Sequence, residues 1–158
     1  MKHGMPSDSV SLVECVAERW VKSWIDGNGA NFASLYSESG EYIDHAYRIR
    51  RVGRGFIARH FEIWKGSVPD FTMTAIDTKV LGSDVYFSYI GAGNFLHDLP
   101  LEKATGELTW QPATGESFLF RGYIMLSVNS DGLINRTEEF YSVNWFQQED
   151  VEGYDLRK

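Results

Sequence analysis

The sequence has 158 residues, of which 43% are hydrophobic and 15% aromatic, and its formal net charge is −7. This length suits one domain over 1–158, with loose tails at about 1–6 and 149–158, and the aromatic share favours a roomy, aromatic-lined interior. The acidic balance argues against nucleic acid as a partner, because phosphate neutralisation needs a basic face. A single cysteine excludes an internal disulfide, and no apolar run suits a signal peptide or a membrane span, so we expect a cytoplasmic protein with no membrane partner.

The first predicted element is an amphipathic helix that runs from a cap at Ser7 or Ser9 to about Asp26. Its apolar residues recur at spacings of three and four and include Trp20 and Trp24. Both tryptophans are therefore expected on one buried face of the helix.

Two shorter helices are predicted after it, over residues 30–36 and 56–66. The apolar stripe of the third helix includes His60 and Trp64, which places a histidine on its buried side. A hydrogen-bonded core histidine is the commoner explanation of such a position, and a contact with a ligand is the alternative.

The rest of the chain is predicted to be mainly extended. Strands are expected over residues 41–44, 47–52, 71–81, 85–93, 117–128 and 133–144. An Asp-Gly pair at 131–132 supplies the turn of a long hairpin between the last two strands, whereas 94–115 forms an irregular excursion. Helices followed by antiparallel strands predict an α+β layout, with three N-terminal helices closing over one curved sheet.

Five short strings, in this order along the chain, resemble the SnoaL-like polyketide cyclases. They are Tyr42–His45, Gly53–Phe61, Val68–Phe71, Pro112–Gly115 and Asp131–Ile134. The resemblance extends over about residues 10–148. It implies the cone of the nuclear-transport-factor-like superfamily, which also holds ketosteroid isomerase, scytalone dehydratase and limonene epoxide hydrolase. In that fold a curved, mixed sheet and three helices enclose an apolar pocket that works without a metal or organic cofactor.

The sequence departs from the family at the position that carries its acidic general base. The resemblance places Ser142 there, and the family's Gly-Thr-His segment is replaced by Gly93–Phe95, with His97 two residues on. We therefore expect a relocated base, or a reaction other than the aldol cyclisation of the family.

Strand alternation suggests where a relocated acid could lie. One face of the last strand carries Arg136, Glu138, Phe140, Ser142 and Asn144. In the family that the sequence resembles, the side chains on this face of the last strand line the pocket. The resemblance therefore makes Glu138 the predicted acid. A register slip of one residue would exchange Glu138 for Glu139.

Asp44 and His45 are the next catalytic candidates. Adjacent strand residues point to opposite faces, so only one of them is expected in the pocket, and the family resemblance favours His45. The alternative is a turn residue satisfied by the backbone.

Aromatic side chains are the expected walls of the pocket. Tyr42, Tyr89 and Tyr123 could each donate a phenol hydrogen bond to a developing oxyanion, although packing is the simpler role for any one of them. Trp20, Trp24 and Trp64 suit a flat apolar ligand, because in this fold the helix stripes also cover the pocket.

The resulting hypothesis is a cofactor-independent isomerase or cyclase that acts by acid–base catalysis on a hydrophobic polyketide- or terpenoid-like intermediate of secondary metabolism. A dehydratase of the scytalone type is the nearest alternative, and an epoxide hydrolase is disfavoured because no pair of aspartates flanking an arginine is evident. A non-catalytic binding or dimerisation module is the alternative outside the enzymes. No histidine or acid spacing predicts a metal site. A homodimer is expected, because the outer face of the hairpin, with Tyr141 and Val143, would otherwise be uncovered.

Overall fold

A computed structural model describes residues 8–103 and 105–142 of the chain. The helices are α1 (Asp8–Asp26), α2 (Gly29–Ala33) and α3 (Arg54–Ser67). The strands are β1 (Tyr36–Asp44), β2 (Ile49–Val52), β3 (Thr72–Leu81), β4 (Asp84–Asn94), β5 (Leu99–Glu102), β6 (Leu108–Gln111), β7 (Ser117–Val128) and β8 (Ile134–Tyr141).

Six strands form one mixed sheet in the order β2-β1-β8-β7-β4-β3, and β5 pairs with β6 as a separate hairpin. The strands β1 and β8 run parallel to each other, and every other neighbouring pair is antiparallel. The predicted α+β class, with a curved mixed sheet and helices at the N-terminal end, is confirmed. Among the described residues, no helix is both long and apolar enough to cross a membrane.

The core lies between the three helices and one face of this sheet. Alternate residues of β4 and β7 are buried, as the period of two along a strand requires. Trp20 of α1, Phe32 of α2 and Phe61 of α3 are all fully buried, and Phe32 packs its ring within 5.7 Å of Trp20 and 4.9 Å of Phe61, measured between centroids. Aromatic rings on all three helices therefore fill the concave side of the sheet.

The long hairpin turns where the Asp-Gly pair predicts. Gly132 adopts a φ of 77°, which suits a residue without a Cβ, and its N–H bonds to the carbonyl of Asn129 at 3.0 Å. The Asn129 side chain accepts hydrogen bonds from the backbone N–H groups of Asp131 and Leu133, each at 3.0 Å. The turn places Val128 opposite Ile134, and a register shift between Ser127 and Val128 then sets the pairing of the rest of β8, beginning with Ser127 opposite Arg136.

Several predicted boundaries differ from the structure. The second helix ends at Ala33 because Tyr36 already begins β1, which is longer than predicted. The excursion over 94–115 contains the β5–β6 hairpin. Val143, and the tail over 149–158, lie outside the described residues.

Candidate functional site

A cavity opens between α3, the β5 strand and the inner face of the sheet. Its walls are largely apolar and include Trp24, Ile63, Trp64, Phe71, Leu101 and Phe120. The cavity volume is about 50 Å³, which is enough for a few water molecules. We call this cavity the inner pocket.

Two carboxyl groups and a histidine converge on the inner pocket. Asp44 ends β1, Glu139 lies on β8, and His60 lies in the middle of α3. Asp44 and Glu139 are 3% and 7% exposed, and one polar atom from each of the three side chains lies within 4.8 Å of the other two. Parallel pairing of β1 with β8 places the two acids side by side, because Asp44 is directly opposite Glu139 in register.

Glu139 is held from behind by two phenols. The hydroxyl of Tyr42 donates to Oε1 at 2.8 Å, and that of Tyr89 donates to Oε2 at 2.6 Å. Both tyrosines are fully buried. Burial, and next the negative charge of Asp44, raise the pKa of Glu139 to about 8, and the two phenol hydrogen bonds limit the rise. A carboxyl group with that pKa can gain or lose a proton near neutral pH.

Asp44 is held by a separate set of donors. Its Oδ1 accepts the backbone N–H of Tyr47 at 2.9 Å, and its Oδ2 accepts the hydroxyl of Tyr141 at 2.8 Å. Burial raises the pKa of Asp44 above its ordinary value, and these hydrogen bonds oppose the rise. Because the two acids are adjacent, they titrate as a pair, and the first proton lost leaves one acid beside one carboxylate.

His60 is a neutral imidazole in this pocket. Its Nε2 lies 4.0 Å from Oδ2 of Asp44, which is beyond hydrogen-bonding distance. Burial, reinforced by the positive charge of Arg51, lowers the pKa of His60 to about 3. His60 therefore offers the pocket a neutral hydrogen-bond donor or acceptor.

The same three side chains could offer ligands to a divalent cation, since an imidazole and two carboxylates are suitable donors. The guanidinium of Arg51, which also lines the inner pocket, would repel such an ion. The expected absence of a metal rested on sequence spacing alone. Sequence spacing does not reveal a cluster of residues that come together from β1, α3 and β8. The expected absence of a metal therefore stays a prediction.

The predicted pocket face of β8 is wrong by one residue. Glu138 faces outward, where its Oε1 lies 3.0 Å from Nε2 of His45 and 3.3 Å from a guanidinium nitrogen of Arg136. The ring of His45 stacks on Phe140 at 4.1 Å between centroids, also on the outer face. The preference for His45 over Asp44 as the pocket residue is also wrong. Asp44 is directly opposite Glu139 and faces the pocket with it, so the next residue, His45, faces outward.

The other predicted site residues divide between the two faces. Tyr123 and Phe140 are exposed on the outer face, at 46% and 47%, and Ser142 is exposed beyond the end of β8. Tyr141 was expected on the outer face and instead points inward to Asp44. Asn144 lies outside the described residues.

Two of the three tryptophans predicted to contact the pocket do line it. Trp24 and Trp64 line the inner pocket. Trp20 is buried deeper, where its Nε1 donates to the hydroxyl of Tyr36 at 2.9 Å, so it supports the core rather than contacting the cavity. Tyr42 likewise lies behind Glu139 instead of forming the pocket wall.

Sequence reasoning named Glu139 only as the alternative to Glu138, and it missed Tyr141 and Arg51 as pocket residues. A count of register from the turn gives the wrong parity. With Val128 opposite Ile134, such a count would pair Ile124 with Glu138. The register shifts between Ser127 and Val128, so Ile124, which is buried on the same face as Phe120, pairs with Glu139 instead. This β-bulge brings Glu139 to the inner face.

Comparisons with known proteins agree with the fold. No family model and no curated protein matches the sequence. A solved structure from Jannaschia sp. CCS1, proposed to be a SnoaL-like polyketide cyclase, superposes with a TM-score of 0.71 at 12% identity, covering 87% of this chain and 90% of that one. An NTF2-like protein from Anabaena variabilis ATCC 29413 gives 0.69 at 14% identity, covering 92% and 98%.

A third similar structure is the epoxide hydrolase/cyclase-like enzyme SalBIII, which has a role in pyran ring formation in the polyether salinomycin. It gives a TM-score of 0.66 at 9% identity, covering 85% of this chain and 93% of that one. At these identities the likeness establishes the fold and leaves the reaction open. The chain has the fold of the SnoaL-like and nuclear-transport-factor-like superfamily that its five short strings predict.

Proposed function

We propose that the protein is a cofactor-independent acid–base enzyme that isomerises or cyclises a small, largely apolar molecule in the inner pocket. The observation that carries the proposal is Glu139, a buried, pocket-lining carboxyl group held by two phenols with its pKa raised to about 8. Perturbed carboxyl groups of this kind are typical of proton-transfer sites.

The reaction would begin with ionised Glu139 taking a proton from a carbon next to a substrate carbonyl. The C–H electron pair moves to the carbonyl oxygen as an enolate, and the proton now on Glu139 returns to another carbon, so the isomerisation consumes no co-reactant. His60, a neutral imidazole that lines the same pocket, can donate a hydrogen bond to the enolate oxygen. The apolar walls exclude water and so strengthen this electrostatic contribution.

Epoxide opening is a second candidate, favoured by a specific observation. Two carboxyl groups, Asp44 and Glu139, line the same pocket as Arg51, a grouping that the sequence did not reveal. One carboxylate could accept the proton of an attacking hydroxyl while the other, protonated, donates to the epoxide oxygen. The likeness to the epoxide hydrolase/cyclase-like SalBIII is consistent with such a ring closure.

Both candidates can be tested by following two small probe molecules in deuterated buffer by proton nuclear magnetic resonance. Cyclohex-3-en-1-one reports isomerisation and exchange next to a carbonyl, and 4,5-epoxypentan-1-ol reports ring closure. We expect the wild-type protein to accelerate one of these reactions and Glu139→Gln to reduce that rate about 10²- to 10⁴-fold. Glu138→Gln, the same change on the outer face, should leave the rate within about twofold.

Turnover by Glu139→Gln at the wild-type rate would refute the catalytic role. A non-catalytic module would give no acceleration of either probe by the wild-type protein, together with saturable binding of an apolar ligand. A dependence of the rate on added divalent cations would instead favour the Asp44, His60 and Glu139 cluster as a metal site.

We also propose that the protein forms a homodimer. The outer face of the sheet exposes Tyr123 and Phe140, which a second copy of the chain would cover. Sedimentation equilibrium at several concentrations tests this directly, and a monomer throughout would refute it.

A further inference from the structure

A second, wider cavity adjoins the inner pocket between β2 and the β5–β6 hairpin. The volume of this second cavity is about 540 Å³, measured in the same way as that of the inner pocket. We call this cavity the vestibule. Tyr47, Ile49, Arg51 and Leu101 line both cavities. A ligand could therefore occupy both at once, with Arg51 at the junction.

The vestibule is basic although the chain as a whole is acidic. Its lining contains Arg48, Arg50, Arg51 and Lys103, and one acid, Glu102. Of these, Arg50 bonds Glu41 at 2.6 Å, and Lys103 lies 3.0 Å from Glu107. Positive charge concentrated in one cavity of a protein with net charge −7 favours an anionic ligand there.

Among the described residues, none is an acid that pairs with Arg51 alone. Its closest acidic influences are Glu102 and Asp44. Glu102 is engaged by Arg59 at 3.0 Å, and Asp44 accepts hydrogen bonds from Tyr141 and the backbone of Tyr47. Across residues 8–103 and 105–142, the Nε of Arg51 is one of two buried side-chain nitrogen or oxygen atoms with no hydrogen-bond partner.

The second such atom belongs to the same cavity. It is the Nε1 of Trp24, whose side chain lines the inner pocket. Buried donors are nearly always paired, because leaving one unpaired forfeits its hydration without replacement. The Nε of Arg51 is thus left without a protein acceptor, although its guanidinium belongs to a side chain at the junction of the two cavities.

We propose that the substrate carries a carboxylate, which Arg51 binds at the junction of the inner pocket and the vestibule, while the apolar part of the substrate enters the inner pocket. This rests on the proposed function and names the substrate class for it. A guanidinium presents paired N–H groups in one plane, and these match the two oxygens of a carboxylate.

The experiment is isothermal titration calorimetry at pH 7 with three probes of one shape. Phenylacetate carries the carboxylate, phenylacetamide is its neutral counterpart, and benzylphosphonate presents the other common anion that arginine binds. We expect the wild-type protein to bind phenylacetate at least about tenfold more tightly than either of the others.

Two variants assign that preference to one side chain. Arg51→Met should abolish the preference for phenylacetate over phenylacetamide, whereas Arg136→Met, which removes the same charge from the outer face, should retain it. Arg51→Lys keeps the charge without the planar fork and should show an intermediate preference, which provides the test if Arg51→Met does not fold.

Equal binding of phenylacetate and phenylacetamide by the wild-type protein would overturn the proposal, as would a preference that survives in Arg51→Met. Tighter binding of benzylphosphonate would replace the carboxylate by a phosphate-like group and overturn the assignment of class. Glu139→Gln should keep the preference for the carboxylate, so failure of the anion site is distinguishable from failure of the proposed catalysis.

Discussion

The two faces of the β1–β8 pair carry nearly the same chemistry in opposite surroundings. On the inner face, Glu139 lies beside Asp44 in a buried pocket. On the outer face, one residue away on each strand, Glu138 forms a partly exposed hydrogen bond with His45. The inner acids have raised pKa values because water is excluded from them, and the outer pair remains in contact with solvent.

This difference shows that residue type alone does not mark a reactive group in this fold. A glutamate beside a histidine looks catalytic in the sequence, yet the arrangement that perturbs proton affinity is a glutamate beside an aspartate with phenols behind it. Burial raises the pKa of Glu139, and so allows that carboxyl group to exchange a proton near neutral pH.

The largest expected effect is on the pH dependence of turnover. If ionised Glu139 is the base, kcat/KM should rise with pH to an apparent pKa near 8, falling about tenfold per unit below it. Turnover at pH 6 should therefore be roughly a hundredfold below its plateau. Rates measured from pH 5.5 to 9.5 with wild type and Glu138→Gln should give superimposable profiles, and a profile flat across pH 8 would contradict the assignment.

The next effect is on stability. Turnover should rise with pH, whereas the free energy of unfolding should fall with pH. Folding raises the pKa of Glu139 from 4.5 to about 8, so the folded state holds a proton that the unfolded state has released. The resulting stability is complete below pH 4.5 and is lost as pH rises through 8. From pH 6.5 to 9 the wild-type free energy of unfolding should fall by about 2 kcal/mol relative to Glu139→Gln.

Urea unfolding at several pH values measures that difference. The window begins at pH 6.5 because His60 contributes the reverse slope below it: its pKa falls on folding to about 3, so acid favours the unfolded state between pH 6.5 and 3. Parallel pH profiles for wild type and Glu139→Gln above pH 6.5 would show that Glu139 is ionised in the folded protein.

The fold was predictable from sequence because its signals are local or repeated. The Asp-Gly turn, the helix stripes and the order of the short strings each constrain the fold over several residues. The site was not, because it depends on the parity of one strand, and a single-residue shift moves Glu139 out and Glu138 in. The phenol of Tyr89 reaches Glu139 across 50 residues of sequence, a contact that no spacing predicts.

Gly122 provides a way to disturb the inner face without touching a charge. It lies opposite Tyr89 in register, and a Cβ added there would collide with the ring and hydroxyl of Tyr89. Gly122→Ala should destabilise the protein by about 1–3 kcal/mol and lower turnover, because Tyr89 must withdraw from Glu139. Thermal unfolding and the probe reactions measure the two effects.

Gly66→Ala is the matched control. Gly66 is exposed near the end of α3, and an added Cβ has no atom within 4 Å. This variant should be stabilised by roughly 0.5–1 kcal/mol, with unchanged turnover, because alanine loses less backbone entropy in a helix. Equal behaviour of the two alanine variants would show that Tyr89 does not depend on Gly122 for its position.

The smallest effect is expected on the outer face. A double-mutant cycle with His45→Ala and Glu138→Gln should give a coupling of about 0.2–1 kcal/mol, because the pair lies in contact with solvent and is screened by salt. Turnover should be unchanged in all three variants. A coupling well above this range, or turnover that falls when His45 is removed, would mean that the outer pair acts on the pocket through β8. The contrast between the two faces would then reflect a shared network and not the exclusion of water from one of them.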